Sequence, residues 1–140
     1  MTMAKMMTIK AFAKRLGIEM DCTEVGENPN MSGMPRGSRH YECVLRRGED
    51  TGDAVTITYS MGPALEREPE VEDVLGCLAM DASTYLNARS FEEWAGELGF
   101  DADSRKAERT YQAVGKQVSD LEGLIGKGGV QELAFHTEPL

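Results

Sequence analysis

The sequence predicts an α+β fold, in which an N-terminal helix and three C-terminal helices pack on one face of a three-stranded antiparallel sheet. Two observations support this fold. In the first half of the chain, apolar and polar residues alternate over 18–24, 40–47 and 54–61, which is the period of half-buried strands. In the second half, apolar residues recur at three and four positions, as they do in helices that bury one face.

The length of 140 residues fits one domain with a hydrophobic core of its own. Within this single domain, 1–140, the patterns predict three parts. Residues 1–62 form a helix and the sheet, residues 63–127 form an acidic helical part, and residues 128–140 form a tail.

The first elements are a helix over 8–16, capped by Gly17, and the strand at 18–24. The segments 40–47 and 54–61 form a hairpin around a polar, glycine-bounded turn. The intervening segment 26–37 has two prolines, three glycines and two asparagines, which predicts a mobile loop with Met31 and Met34 exposed. This loop is either a solvated connector or a flexible contact loop.

Three helices are predicted after the hairpin. Pro69 suits the first position of one of them, and Val71, Val74, Leu75 and Leu78 follow at helical spacing. In the next helix, Ser90 and Glu93 match a capping box, and Gly99 ends the element. Its apolar face comprises Phe91, Trp94, Ala95 and Leu98.

A long helix is predicted from Asp103 or Ser104 to about Ile125, where the run of glycines at 126, 128 and 129 stops it. Its apolar positions have a period of 3.5 and are Ala107, Tyr111, Val114, Val118, Leu121 and Ile125. We call this set the seam. Three heptads favour packing within one chain, and dimerisation through the seam is the alternative. A short strand is predicted in the tail, at 132–136.

The formal charge of the chain is concentrated in one segment, 63–103. It holds eleven acidic side chains against Arg67 and Arg89, so it carries a charge of −9, which equals the net charge of the whole chain. All of these acidic residues except Asp81 are candidate partner-binding residues, namely Glu66, Glu68, Glu70, Glu72, Asp73, Glu92, Glu93, Glu97, Asp101 and Asp103. A one-sided field of this kind speeds association with a basic partner, and a merely solvated face is the alternative interpretation. A pI near 4.7 argues against direct binding to nucleic acid.

The sequence predicts no catalytic residue, no metal site and no cofactor, and therefore a protein that is not an enzyme. The run 101–106 begins like a calcium loop, but Arg105 and Lys106 stand where an oxygen ligand and a glycine are needed. No zinc site is predicted, because the sequence spacing typical of zinc ligands does not occur among Cys22, Cys43, Cys77, His40 and His136. The odd, widely spaced cysteines indicate reduced thiols in a cytosolic protein. Neither a membrane span nor a secretory signal is expected.

Several motifs together resemble a family of small proteins of tailed bacteriophages and prophages. They are Tyr59-Ser60-Met61-Gly62, the run 73–82 (DVLGCLAMDA), the run 87–94 (NARSFEEW) and the run 103–111 (DSRKAERTY). The likeness covers about residues 40–125. It implies a phage origin and the host bacterial cytoplasm as the location, and it carries over no functional residue.

The function hypothesis that follows is a phage-encoded, non-enzymatic inhibitor of bacterial defence, most specifically an anti-CRISPR protein. Its acidic segment would bind a basic nucleic-acid-binding surface of a host protein or nucleoprotein complex. The alternative is a phage structural or assembly accessory protein that self-associates through the seam, so both a monomer and a homodimer are considered. A third hypothesis, an enzyme with an unrecognised site, would depend on His40.

Overall fold

The computed structural model describes residues 7–25, 37–48, 50–62 and 67–138 and confirms the predicted α+β fold. The predicted loop at 26–37 lies outside the described residues except for Gly37, and Glu66 lies outside them too. The elements in chain order are β1 (Met7–Thr8), α1 (Ile9–Leu16), β2 (Ile18–Val25), β3 (Arg39–Arg47), β4 (Asp50–Met61), α2 (Val71–Asn87), α3 (Phe91–Glu97), α4 (Arg105–Phe135) and β5 (Thr137–Glu138).

The main sheet has the strand order β2-β3-β4 and is antiparallel throughout, as predicted. The alternating pattern sets one face against the helices, because successive side chains of a strand point to opposite faces. On β3 the buried apolar side chains are Tyr41, Cys43 and Leu45, and their partners on β4 are Tyr59, Ile57 and Val55. The register shifts between Leu45 and Arg47, close to the hairpin turn.

Helix α1 ends at the predicted signal, Gly17, and begins at an N-cap, Thr8. The Thr8 hydroxyl accepts a hydrogen bond from the Ala11 N–H at 3.1 Å, and Gly17 closes the helix in the left-handed region with φ of 69°. The glycine is required there because side chains with a Cβ rarely adopt this conformation. Phe12 points from α1 into the core and is fully buried.

Helix α2 begins later than the sequence predicts. Pro69 was expected at the first helical position, but the helix starts at Val71 and Glu70 is its N-cap. The Asp73 carboxylate accepts a hydrogen bond from the Glu70 N–H at 2.9 Å, while the Glu70 side chain accepts from the Asp73 N–H. This reciprocal capping box satisfies two backbone donors at once and fixes the start of the helix.

The first helical run of α4 ends at Gly126, whose φ of 80° and ψ of 162° are not helical, so the predicted stop near Ile125 is confirmed. A second helical run follows it and reaches Phe135. The predicted tail and its strand at 132–136 are therefore wrong. Val130 and Leu133 are each only 1% exposed, and their burial outweighs the poor helix propensity of the glycines. The short strand β5 follows instead and pairs in parallel with β1.

A second group of packed side chains lies where α3 meets α4. The Trp94 ring is 5.0 Å from the Tyr111 ring and 5.7 Å from the Phe100 ring, and Phe91 stacks on it at 6.2 Å. We call these four residues the aromatic cluster. Nearby, Gly115 allows close approach of Tyr85, since a Cβ there would lie 3.0 Å from the Tyr85 hydroxyl. Aromatic packing thus holds the short helix α3 on α4.

Candidate interaction surface

The carboxylates at the start of α2 are partly committed to holding that helix. Arg67 donates from Nη1 to Asp73 Oδ2 at 2.6 Å and from Nη2 to Oδ1 at 3.1 Å. The Arg67 guanidinium lowers the pKa of the Asp73 carboxyl, against the opposing effect of burial. The negative charge of Asp73 is thus already paired with a cation of the same chain.

Glu70 and Glu72 stand next to each other in the same cluster. The neighbouring Glu72 carboxyl raises the pKa of Glu70, first because a hydrogen bond between the two side chains needs one of them protonated, and second because their like charges repel. Glu68 is exposed. We call Glu68, Glu70, Glu72 and Asp73 the α2 cluster.

Replacing Asp73 by alanine is expected to lower the free energy of unfolding by about 1 kcal/mol at pH 7, the usual cost of losing a helix cap. The folded-state pKa of Asp73 lies below its unfolded value, so its contribution is present above the unfolded pKa of about 3.9. It is lost as the pH falls through the lower folded pKa. Urea titrations at pH 7 and pH 3 should therefore show the difference from wild type shrinking in acid.

The matched control is Glu68→Ala, because Glu68 is an exposed acidic residue just before the same helix. Its free energy of unfolding should stay within about 0.5 kcal/mol of wild type. Equal losses for the two variants, or a loss for Asp73→Ala that is independent of pH, would contradict the capping role.

The second group of carboxylates is carried by α3 and the turn after it. Ser90 caps α3 by accepting from the Glu93 N–H at 3.2 Å, which confirms the serine half of the predicted capping box. Trp94 and Ala95 are buried, whereas the three glutamates of the helix, Glu92, Glu93 and Glu97, are exposed.

The turn between α3 and α4 adds Asp101 and Asp103, both exposed. Asp101 Oδ1 accepts from the Asp103 N–H at 3.0 Å, and Ser104 caps α4 by accepting from the Ala107 N–H at 3.1 Å. Ser104 is thus the N-cap of α4, one of the two predicted starts of this helix, and the Asp101 carboxylate orders the turn before it. Across the described part of the chain, no group of three or more His, Cys, Asp or Glu side chains is placed to hold a metal ion.

We call Glu92, Glu93, Glu97, Asp101 and Asp103 the α3 cluster. Among the residues that the structure describes, none of these five carboxylates forms an ion pair. Glu93 and Glu97 also line a polar cleft of about 180 Å³ between α2 and α3, together with Ser83, Thr84 and Asn87. Two carboxylates one turn apart, beside hydroxyl and amide groups, can accept several hydrogen bonds from one cationic side chain.

The two clusters are not one continuous belt. Helix α2 has 17 residues and is therefore about 25 Å long, with the α2 cluster at its start and the α3 cluster beside its end. Asp81 lies between them and is half-buried, and this burial raises the pKa of its carboxyl. The sequence placed all these charges in one segment, but the fold divides them into two surfaces.

The seam of α4 faces the rest of the chain. Ala107, Val118, Leu121 and Ile125 are buried, Val114 packs against the core, and Tyr111 belongs to the aromatic cluster. This arrangement is the packing within one chain that the sequence favours. Dimerisation through the same residues would require α4 to leave its place in the core.

The enzyme hypothesis depends on His40, which lies on β3 opposite Ser60 on β4. His40 Nδ1 and Ser60 Oγ are 2.6 Å apart, and His40 is only 9% exposed. The sequence did not single out this pair, although the hairpin register alone places the two residues opposite each other. A buried histidine bonded to a serine across two paired strands has a sufficient structural reason to be there.

Two further features of the structure do not follow from the predictions above. Cys22 and Cys43 are directly opposite in the β2–β3 register, a placement that the alternating patterns could have revealed. An apolar cavity of about 260 Å³ lies beside α2, between Ala79, Met80 and Leu133. Because it joins residues far apart in the chain, no local pattern signals it. Across the residues described, no helix combines the length and apolarity that crossing a membrane requires.

No family model, curated protein or solved structure matches the chain. Its function must therefore be argued from the geometry of its own residues, and the phage resemblance stays a prediction.

Proposed function

We propose that this protein is a non-enzymatic binding protein that attaches to a basic surface of a partner, with the α3 cluster as its main contact. The observation that carries this proposal is the set of five exposed carboxylates that lack ion pairs within the described chain. Like charges held close together gain most from an incoming cation, and they raise association rates by ~10-fold to 10³-fold.

The α3 cluster is better suited to this role than the α2 cluster. Asp73 is already paired with Arg67, and Glu70 is bound to the backbone as the N-cap of α2. By contrast, Glu93 and Glu97 stand at a polar cleft that matches the several donors of a guanidinium or an ammonium group. The aromatic cluster fixes α3, so little ordering is needed on binding.

The partner class we propose is the basic, nucleic-acid-binding surface of a bacterial defence complex, which would make this protein a phage-encoded anti-CRISPR inhibitor acting in the host cytoplasm. This part of the proposal depends on the resemblance of residues 40–125 to phage proteins. Exposed carboxylates on α3 would compete with the phosphates that such a surface normally holds. The assembly alternative is less well supported, because the seam it needs is packed inside the chain.

The test uses two triple variants with the same change in charge. Replacing Glu92, Glu93 and Glu97 by glutamine neutralises the α3 cluster. Replacing Glu19, Glu24 and Glu42, exposed residues of β2 and β3, removes three carboxylates elsewhere. Tagged wild-type protein and both variants are incubated with bacterial lysate, eluted in salt steps, and the bound proteins identified by mass spectrometry.

We expect the wild type and the sheet variant to retain a nucleic-acid-binding defence complex that salt releases, and the α3 variant to lose at least ~10-fold in capture. Thermal stability should be unchanged, since exposed charges contribute little to it. Equal capture by the two variants would refute the α3 contact. Recovery of virion proteins, or of the protein alone with the mass of a dimer, would favour the assembly role.

A further inference from the structure

Two thiols meet where β2 and β3 pair. Cys22 and Cys43 are register partners, and their Sγ atoms are 3.2 Å apart. Directly opposed residues of antiparallel strands have Cα atoms about 4.5–5.5 Å apart. That separation lies inside the range of about 4.4–6.8 Å that disulfides span. We propose that Cys22 and Cys43 form an oxidation site that closes into an intramolecular disulfide on reaction with a low-molecular-weight disulfide.

The two strands already hold the sulfurs in position. The ladder between β2 and β3 runs from Ile18 with Arg47 to Val25 with His40, so the cysteine pair sits in its middle. The Arg46–Asp21 ion pair, at 2.5 Å, links the same two strands diagonally, from the residue next to Cys22 to the third residue after Cys43. Closure therefore needs only side-chain rotation that brings the sulfurs from 3.2 Å to about 2.05 Å.

The two thiols differ in access, which sets the order of reaction. Cys22 is half-buried on β2, which has no strand beyond it in the described sheet. Cys43 is fully buried on the central strand. Mainly because of this burial, and secondly because of the hydrogen bond with the Cys22 thiol, the pKa of Cys43 is raised to about 12. An incoming reagent therefore meets Cys22 before Cys43.

The reaction balances as two thiol–disulfide exchanges. The Cys22 thiolate attacks one sulfur of the small disulfide, forms a mixed disulfide and releases the other half as a thiolate. Cys43 then attacks Cys22 Sγ and releases the second half, which takes up the Cys43 proton as it leaves. Two protein thiols are oxidised, and one small disulfide is reduced to two thiols.

Cys77 provides an internal control. It lies on α2, is exposed, and has no second cysteine opposite it among the described residues. In the test, the protein is equilibrated in buffers of increasing oxidised-to-reduced glutathione ratio, quenched in acid, denatured and alkylated with N-ethylmaleimide. Intact mass counts the alkylated thiols, and peptide mapping identifies any crosslink.

We expect three labels in reducing buffer. In oxidising buffer Cys22 and Cys43 should lose their labels and the mass should fall by two hydrogens, while Cys77 carries one label or one glutathione. The Cys77→Ser variant should pass from two labels to none at the same glutathione ratio. Cys43→Ser should instead hold glutathione on Cys22. The equilibrium constant for disulfide formation should be at least ~10-fold higher in the folded protein than in guanidinium. In the unfolded chain a flexible segment of 21 positions joins the two cysteines, whereas the folded sheet holds them opposite each other.

Three labels across the whole glutathione range would overturn the proposal. So would a crosslink that involves Cys77 or a second chain, or equal closure constants in the folded and denatured states.

Discussion

Replacing Trp94 by alanine is expected to lower the free energy of unfolding by about 3–5 kcal/mol, the cost typical of removing a large buried aromatic side chain. Trp94 is 1% exposed and is the centre of the aromatic cluster, with Phe91, Phe100 and Tyr111 around it. Helix α3 has only seven residues, too few to be stable alone, so this packing supplies most of what holds it in place.

The matched control is Leu98→Ala, which removes a large apolar side chain from the C-cap of the same helix. Leu98 is 47% exposed, so its loss should cost about 0.5 kcal/mol or less. Urea titrations should be followed by circular dichroism, because Trp94 is the only tryptophan. Similar losses for the two variants would mean that the cluster does not anchor α3.

The same substitution separates structure from binding. Trp94→Ala should weaken partner capture because α3 is no longer held, whereas the α3 glutamine variant should weaken capture with stability unchanged. Measured together, the two variants show whether binding depends on the charges themselves or only on an intact helix.

The strands could be predicted because their signal is local. In β3, the alternation of Tyr41, Cys43 and Leu45 with polar neighbours identifies both the strand and its buried face. Once the hairpin is placed, its register follows within a residue or two. The opposed cysteines were within reach of the same reasoning, because Cys22 and Cys43 both lie on the apolar faces of their strands.

The errors lie where tertiary packing outweighs a local signal. Pro69 is a good first helical residue, but the reciprocal bonds between Glu70 and Asp73 set the start instead. The glycines after Ile125 are poor helix formers, yet the helix resumes because Val130 and Leu133 find places in the core. Helix propensity alone cannot reveal these core positions, because residues of α1 and α2 form them.

The acidic surface shows the same limit for a functional site. The sequence identifies the charges of 63–103 correctly but treats their linear proximity as spatial proximity. A helix of 17 residues, about 25 Å long, lies between the two clusters, and Arg67 neutralises a charge in one of them. Among the described residues, the α2 cluster contains an ion pair and the α3 cluster does not. This difference favours the α3 cluster as the contact surface, and it can be seen only in the structure.

The end of α4 gives the sharpest contrast between sequence and structure, because the sequence predicts a tail there. Leu133 is 1% exposed and belongs to the hydrophobic core. Leu133→Ala is therefore expected to lower the free energy of unfolding by about 2–5 kcal/mol, as buried leucine truncations do. Gln131→Ala, an exposed position two residues away, should change it by about 0.5 kcal/mol or less.

Truncation after Lys127 should have a still larger effect. It removes Val130 and Leu133 from the core, the 2.7 Å ion pair between Glu132 and Arg15 of α1, and the strand β5. Losses of this size approach the whole stability of a small domain, about 5–15 kcal/mol, so the truncated chain should show no cooperative thermal transition. Two results together would restore the interpretation of these residues as a tail. The truncated chain would have to melt like the full protein, and Leu133→Ala would have to change the free energy of unfolding as little as Gln131→Ala does.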